Sequence, residues 1–181
     1  ASRPYALMTI AQLREQGFIW EEATSGLFCF RGKKEEDSRS TSPLDQGYEA
    51  DWSAASYAYA LLSLLPVDSA IELSGLALPS LQGDAAYLVQ FFEQLGVLTE
   101  KTGDAIRITH TEQRPSRVCF TAHMSDCPDL APAIVTALVG RGAAFTLSGV
   151  AHLRIKESDR LQALADELAK LGVKLTLSPD S

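Results

Sequence analysis

The chain has 181 residues, of which 46% are hydrophobic and 22% charged, and its formal net charge is −7 at pH 7. This length and composition fit a globular protein with one sizeable core or two small ones. The acidic balance argues against a nucleic-acid partner, because binding to a phosphate backbone needs an excess of Lys and Arg. No apolar run of membrane-spanning length and no signal peptide are recognisable, so we expect a soluble protein without a membrane partner.

The cysteine and histidine residues predict no metal site. Cys29, Cys119 and Cys127 are odd in number and form no CxxC pair, so neither a disulfide framework nor a zinc site is indicated. The three histidines show no ligand spacing. We therefore expect no metal and a reduced, cytoplasmic compartment.

The first part of the chain predicts a helix, a hairpin and a polar linker. Pro4 suits the first position of a helix with one apolar face, and Gly17 ends that helix. Two β-type runs, 18–22 and 27–31, are joined by a short turn, as in a hairpin. Residues 33–46 are polar and charged, which is typical of a loop or linker.

From residue 49 onward the chain reads as a repeat. A nearly all-apolar helix with Asp51 as its N-cap precedes a strand at 70–75, an amphipathic helix from Asp84 and a hairpin. A second nearly all-apolar helix, 129–139, begins the same order again, with an Asp at its cap. Because these helices are apolar all round, we expect protein to bury them on every side.

Two short sequence matches support this repeat. Residues 73–77 match 147–151 at a spacing of about 74, and 95–97 match 171–173 at a spacing of about 76. The predicted unit is a buried helix, a strand, an amphipathic helix and a hairpin. The last unit ends with a predicted strand at 174–177 that has no partner. We therefore expect the chain to be a piece of a longer protein that begins and ends within a unit.

A charged run, Arg-Ile-Lys-Glu-Ser-Asp-Arg at 154–160, lies between a β-type run and an amphipathic helix. The free N–H groups of a helix start point outward, so this place favours an anionic ligand. The alternative is a solvated first turn in which the charges pair with one another and bind nothing.

Four motifs in order give the chain a resemblance to a known family. They are Ser2-Arg3-Pro4-Tyr5 with Met8-Thr9, Glu49 to Tyr57, Ser80-Leu81-Gln82-Gly83-Asp84, and Lys156-Glu157-Ser158-Asp159-Arg160 with Pro128-Asp129 upstream. Together they resemble the 5-enolpyruvylshikimate-3-phosphate synthase family over essentially the whole chain, and four ordered motifs are more specific than one.

The resemblance implies an α/β fold of the inside-out barrel type, in which each of two lobes contains three repeats. Residues 1–48 would be the end of one lobe plus a polar linker, and 49–181 a partial second lobe of about two repeats. The family transfers the enolpyruvyl group of phosphoenolpyruvate to the 5-hydroxyl of shikimate 3-phosphate, on the shikimate pathway to aromatic amino acids. No metal or organic cofactor takes part. We expect these two substrates as partners, a monomeric parent protein and an inactive fragment.

The resemblance also implies roles for four charged residues. Asp129 would accept the proton of the 5-hydroxyl, and Lys156 and Glu157 would be the acid/base pair, with Lys156 touching the shikimate hydroxyls and Glu157 acting at the methylene carbon. Arg160 would bind phosphoenolpyruvate, because its planar fork suits a carboxylate or a phosphate. The alternatives are a plain N-cap for Asp129, an exposed pair for Lys156 and Glu157, and an ion pair three residues apart for Arg160 and Glu157.

Three further substrate contacts follow from the same resemblance. Ser2 would bind the shikimate phosphate, and Tyr5 would stack nearby. His152 stands four positions before the lysine, where the family pattern has an amide-bearing residue. A neutral imidazole offers one donor and one acceptor, so His152 either bonds to the substrate or is a satisfied surface residue.

Two other functions stay open at this point. A related enolpyruvyl transferase that acts on UDP-N-acetylglucosamine would share the architecture, although the Lys-Glu-Ser-Asp-Arg run favours the shikimate enzyme. A non-catalytic repeat domain that binds a protein partner would show a large exposed apolar patch, with Asp129, Lys156 and Glu157 pointing apart.

Overall fold

The computed structural model describes residues 3–33, 48–111 and 119–178. The helices are α1 (Arg3–Glu15), α2 (Trp52–Leu64), α3 (Asp84–Glu93), α4 (Ala131–Gly140) and α5 (Arg160–Lys170). The strands are β1 (Phe18–Thr24), β2 (Leu27–Lys33), β3 (Ala70–Ser74), β4 (Val97–Thr102), β5 (Ala105–His110), β6 (Phe120–His123) and β7 (Phe145–Ser148). Two 3₁₀ helices, Pro128–Leu130 and Ala151–Ile155, precede α4 and α5. These elements confirm the predicted α/β class.

The strands of the described ranges form three sheets. Strands β1 and β2 are an antiparallel hairpin, and β3, β5 and β4 form an antiparallel sheet in that order. Strand β6 pairs with β7 in parallel, from Phe120 beside Phe145 to His123 beside Ser148. Sequence analysis did not predict β6, because a strand of four residues carries too little alternation to be recognised.

Helices α2 and α4 pack against each other in the core. The Asp51 carboxylate accepts a hydrogen bond from the Ser53 backbone N–H at 2.8 Å, so the predicted N-cap of α2 is confirmed. The side chains of Trp52, Tyr59 and Ile134 are fully buried between the helices and the sheets. This apolar packing supplies most of the driving force for folding.

The opposite side of α2 is open to solvent in the described part of the chain. Tyr57, Leu61 and Leu64 follow one another at helical spacing, and their exposed fractions are 62%, 56% and 44%. The prediction that α2 is buried on every side is therefore wrong for these three residues. A stripe of exposed apolar side chains on a core helix is typical of a surface that another protein segment covers.

The glycine has the same left-handed φ in both copies of the repeat at 73–77 and 147–151. Gly75 follows β3 and Gly149 follows β7, with φ of +79° and +74°. A Cβ on Gly149 would lie 2.7 Å from the Ser125 backbone nitrogen, so only glycine fits this close approach. Residues 174–177 form no strand, however, and the prediction of one there is wrong. A strand is stable only beside a partner, and the described ranges offer none at this position.

We searched the described residues for a helix long and apolar enough to cross a membrane, and none meets both conditions.

Candidate active site

Asp129 lies in the 3₁₀ turn Pro128–Leu130 that leads into α4. The residue at the N-cap position of α4 is Leu130, and no side chain caps this helix. The interpretation of Asp129 as a cap is therefore wrong. The intervening 3₁₀ turn moves the start of α4 beyond Asp129, and its carboxylate, one quarter exposed, is bound by cations instead.

Four charged side chains meet at this turn, and we call them the Asp129 cluster: Asp129, Lys156, Glu157 and Arg160. The Lys156 Nζ lies 3.2 Å from Asp129 Oδ1, and an Arg160 terminal nitrogen lies 3.0 Å from the same oxygen. The other side of the Arg160 guanidinium donates to Glu157 Oε1, at 2.9 Å from Nε and 2.7 Å from NH2. Residues that are far apart in the chain thus form one connected group. They do not point apart, as a non-catalytic repeat domain would require.

The segment around Lys156 is held in place from both ends. Asp159 is the N-cap of α5, and its side chain accepts from the Gln162 backbone N–H at 3.0 Å. Arg154 donates to the Asp159 carboxylate at 3.5 Å and to the Ser178 carbonyl at 3.2 Å. The predicted strand-to-helix turn is longer than expected, because a 3₁₀ helix stands between β7 and α5. Lys156 and Glu157 lie between these contacts, at the bend that joins the 3₁₀ helix to α5.

The charges of the cluster are paired but remain accessible to water. Its own backbone N–H lowers the pKa of Glu157, and the Arg160 guanidinium lowers it further, so this carboxylate is ionised at neutral pH. The exposed side-chain fractions are 34% for Lys156, 33% for Arg160 and 67% for Glu157. Exposed ion pairs contribute little to stability, so anionic groups of a ligand can replace them at low cost.

Tyr5 belongs to a second group, which we call the Tyr5 cluster: Tyr5, Ser53 and Asp84. The Tyr5 hydroxyl donates to Asp84 Oδ2 at 3.1 Å and lies 3.0 Å from Ser53 Oγ, which donates to the same carboxylate oxygen at 2.5 Å. The three residues lie at the starts of α1, α2 and α3. Sequence reasoning missed Ser53 and Asp84, although both lie within the quoted motifs, because a motif does not state which of its side chains meet.

The two clusters are electrostatically linked. Burial raises the pKa of Asp84, and the nearby carboxylates of Asp129 and Asp51 raise it as well, against the hydrogen bonds from Ser53 and Tyr5. The charge of Asp129 thus acts on Asp84. One cluster contains a buried carboxyl, and the other contains a partly exposed one.

Two predicted site residues remain, Ser2 and His152. Ser2 is outside the described residues. His152 is in the 3₁₀ helix Ala151–Ile155, and its Nε2 is buried without a hydrogen-bond partner in the described ranges. In those ranges we also find no group of three or more His, Cys, Asp or Glu side chains that could hold a metal ion.

Comparison with known proteins defines the class of protein to which this site belongs. The family model described as EPSP synthase (3-phosphoshikimate 1-carboxyvinyltransferase) matches residues 1–181. The chain therefore belongs to the EPSP synthase family, and the resemblance found in the sequence is confirmed.

Several curated relatives are similar to this chain. The 3-phosphoshikimate 1-carboxyvinyltransferase of Syntrophobacter fumaroxidans is 34% identical over 99% of the chain and 40% of its own length. The protein of the same name from Bacteroides fragilis is 34% identical over 99% of the chain and 42% of its own length. A pentafunctional AROM polypeptide of Lodderomyces elongisporus is 29% identical over 99% of the chain and 11% of its own length. The chain thus spans about two fifths of the curated carboxyvinyltransferases that it matches.

Proposed function

We propose that this chain is part of a longer enzyme, here called the parent protein. That enzyme transfers the enolpyruvyl group of phosphoenolpyruvate to the 5-hydroxyl of shikimate 3-phosphate and releases phosphate. The observation that carries the proposal is the Asp129 carboxylate held by Lys156 at 3.2 Å and by Arg160 at 3.0 Å, in a member of the EPSP synthase family. A proton acceptor beside two cations is what an addition between two anionic substrates requires.

Each residue of the Asp129 cluster then has a distinct task. Asp129 takes the proton of the 5-hydroxyl while that oxygen attacks C2 of phosphoenolpyruvate, and Lys156 holds the acceptor hydroxyls. Glu157 donates a proton to the methylene carbon and takes one back when phosphate leaves. Arg160 binds the carboxylate or phosphate of phosphoenolpyruvate through its planar fork.

The pairing of Glu157 with Arg160 gives this scheme an order of events. Glu157 must carry a proton to act as an acid, yet its own backbone N–H and the Arg160 guanidinium lower its pKa. When phosphoenolpyruvate occupies the guanidinium, that hydrogen bond is lost and the carboxyl binds a proton more readily. Substrate binding therefore prepares the acid, and we propose that phosphoenolpyruvate activates Glu157 by engaging Arg160.

We propose Ser2, Tyr5 and His152 as further contacts to shikimate 3-phosphate. The orphaned Nε2 of His152, four residues before Lys156, supports a role in binding a polar ligand group. The helix starts at α2 and α5 supply a positive potential that suits anionic substrates in an acidic chain.

We also propose that the parent protein has the inside-out repeat architecture, with 1–48 ending one lobe and 49–181 forming part of the other. The exposed apolar side of α2 supports the presence of further chain in the parent protein that covers it. So does an apolar cleft of about 620 Å³ between α4, β7 and α5, lined by Val135, Leu147 and Leu164 among others. A monomeric state and a cytoplasmic location belong to the same proposal.

The proposal is tested by measuring phosphate release from phosphoenolpyruvate with the parent protein and with the 181-residue chain alone. We expect release that depends on shikimate 3-phosphate from the parent, none when UDP-N-acetylglucosamine replaces it, and none from the chain alone. An inactive parent protein, or turnover by the chain alone, would contradict the proposal.

A further inference from the structure

The Asp84 carboxyl is buried at a position where an apolar side chain would carry a smaller desolvation cost. Its exposed fraction is 0%, and it begins α3. Oδ2 accepts hydrogen bonds from the Tyr5 and Ser53 hydroxyls, whereas Oδ1 has no partner in the described ranges. Burying a carboxyl with one oxygen unsatisfied is unfavourable, so such a group calls for a functional explanation.

The contacts of Asp84 join three parts of the chain. Tyr5 comes from α1, Ser53 from α2 and Asp84 from α3. The approach of α1 is close, because a Cβ on Gly83 would lie 2.0 Å from Pro4 Cβ. This tight packing restricts the position of the first turn of α1. From that position the Tyr5 hydroxyl donates to Asp84.

The Tyr5 cluster and the Asp129 cluster influence each other electrostatically. Ser53 and Tyr57 are one helical turn apart on α2, about 6 Å along its axis, and Tyr57 is among the groups that, after Glu157, raise the pKa of Arg160. Asp84 in turn senses the charge of Asp129. Under the proposed function the Tyr5 ring contacts shikimate 3-phosphate, so a group that fixes this ring bears on the binding of that ligand.

We infer that Asp84 is a positioning residue of the enzyme: by accepting from both hydroxyls, it fixes the Tyr5 ring at the edge of the shikimate 3-phosphate site. The inference rests on the proposed function. Asp84 touches no reacting atom in this account, so its effect must appear in the affinity for shikimate 3-phosphate and much less in the rate of the chemical step.

The test compares Asp84→Asn with Asp84→Leu in the parent protein. The amide oxygen of the asparagine can accept both hydrogen bonds, and its NH2 group replaces the unpartnered oxygen, so the KM for shikimate 3-phosphate should stay within about twofold of wild type. The leucine has the same branching and the same number of side-chain heavy atoms but no acceptor, so this KM should rise about tenfold or more, with a smaller change in kcat. Tyr5→Phe should raise the KM in the same way, and adding Asp84→Leu to it should cost little more.

Tyr59→Phe is the matched control, because Tyr59 on the same helix α2 loses only a hydrogen bond of 2.9 Å to Thr99. It should change stability without changing this KM. If Asp84→Leu does not fold, Ser53→Ala together with Tyr5→Phe carries the test, with thermal unfolding as the check of folding.

An unchanged KM in Tyr5→Phe and Asp84→Leu, or a loss in Asp84→Asn equal to that in Asp84→Leu, would overturn the inference. Calorimetric titration with shikimate 3-phosphate separates the two proposals. A parent protein that binds this ligand through the Tyr5 cluster but releases no phosphate would contradict only the proposed function. A wild type that neither binds nor turns over would contradict both.

Discussion

The Asp129 cluster and the Tyr5 cluster both lie at helix starts, but water reaches them to different extents. In the first, side chains that are 25–67% exposed form ion pairs of opposite charge. In the second, the fully buried Asp84 accepts hydrogen bonds from two hydroxyl groups. Exposed ion pairs exchange readily with a charged ligand, whereas a buried hydrogen-bond network holds one geometry. This difference supports the proposed chemical role of the first cluster and the proposed positioning role of the second.

The largest expected effect separates Asp129 from a nearby carboxylate outside its cluster. Asp129→Asn in the parent protein should lower kcat by about 10²–10⁴-fold, because the proton acceptor is lost. Asp126→Asn is the control, since Asp126 accepts from the Tyr87 hydroxyl at 3.2 Å and lies outside both clusters. Steady-state kinetics that give equal kcat for both variants would remove the assigned role of Asp129.

The next effect concerns the two arginines that flank the bend. Arg160→Ala should raise the KM for phosphoenolpyruvate by about 10- to 100-fold, as expected for the loss of a charged hydrogen bond. The KM for shikimate 3-phosphate should change less. Arg154→Ala, which removes contacts to Asp159 and Ser178, should shift neither KM selectively. A rise of both KM values in equal proportion after Arg160→Ala would argue against its placement.

A smaller effect tests the close packing of the first turn of α1 at the Tyr5 cluster. In Gly83→Ala the new methyl group meets the rigid ring of Pro4, so α1 must move, and we expect a loss of about 1–3 kcal/mol in the free energy of unfolding. In Gly140→Ala the nearest atom, at 2.7 Å, is the end of the flexible Leu64 side chain. Urea unfolding should therefore show a smaller loss or a gain for Gly140→Ala, and equal losses would contradict the close packing of α1.

The smallest effect is a pH dependence. Burial and neighbouring carboxylates raise the pKa of Asp84, so the folded chain binds this proton more tightly than the unfolded chain. Its stabilising contribution is complete below the pKa of the unfolded chain and is lost as the pH rises through the raised pKa. Asp84→Asn does not titrate and should gain in stability relative to wild type as the pH rises. Urea unfolding from roughly pH 3 to pH 7 checks this, and a difference that stays constant with pH would contradict it.

Sequence patterns predicted the elements that carry a strong local signal. Asp51 caps α2 as expected, and the hairpin that includes 18–22 and 27–31 forms. The prediction of a strand at 174–177 was wrong and β6 was not predicted, because strand pairing depends on neighbours that are distant in the chain.

The two clusters show the same difference between what could and what could not be predicted. The resemblance brought Asp129, Lys156, Glu157 and Arg160 into one hypothesis, and the structure brings them into contact. Their chemical roles remain predictions. The Tyr5–Ser53–Asp84 contacts could not be predicted, because they join the starts of three helices and leave no spacing in the sequence.

We propose that the Asp129 cluster carries the chemistry, and Glu157 offers the most direct test. Glu157 and Glu167 both pair with a basic residue three positions later, at 2.7 Å and 2.6 Å, and both side chains are about two thirds exposed. The measurement is rapid-quench phosphate release in a single turnover of the parent protein. We predict a rate about 10²–10⁴-fold lower for Glu157→Gln and an unchanged rate for Glu167→Gln. Equal rates for the two variants would mean that Glu157 is only a surface ion-pair partner and that the chemistry lies elsewhere.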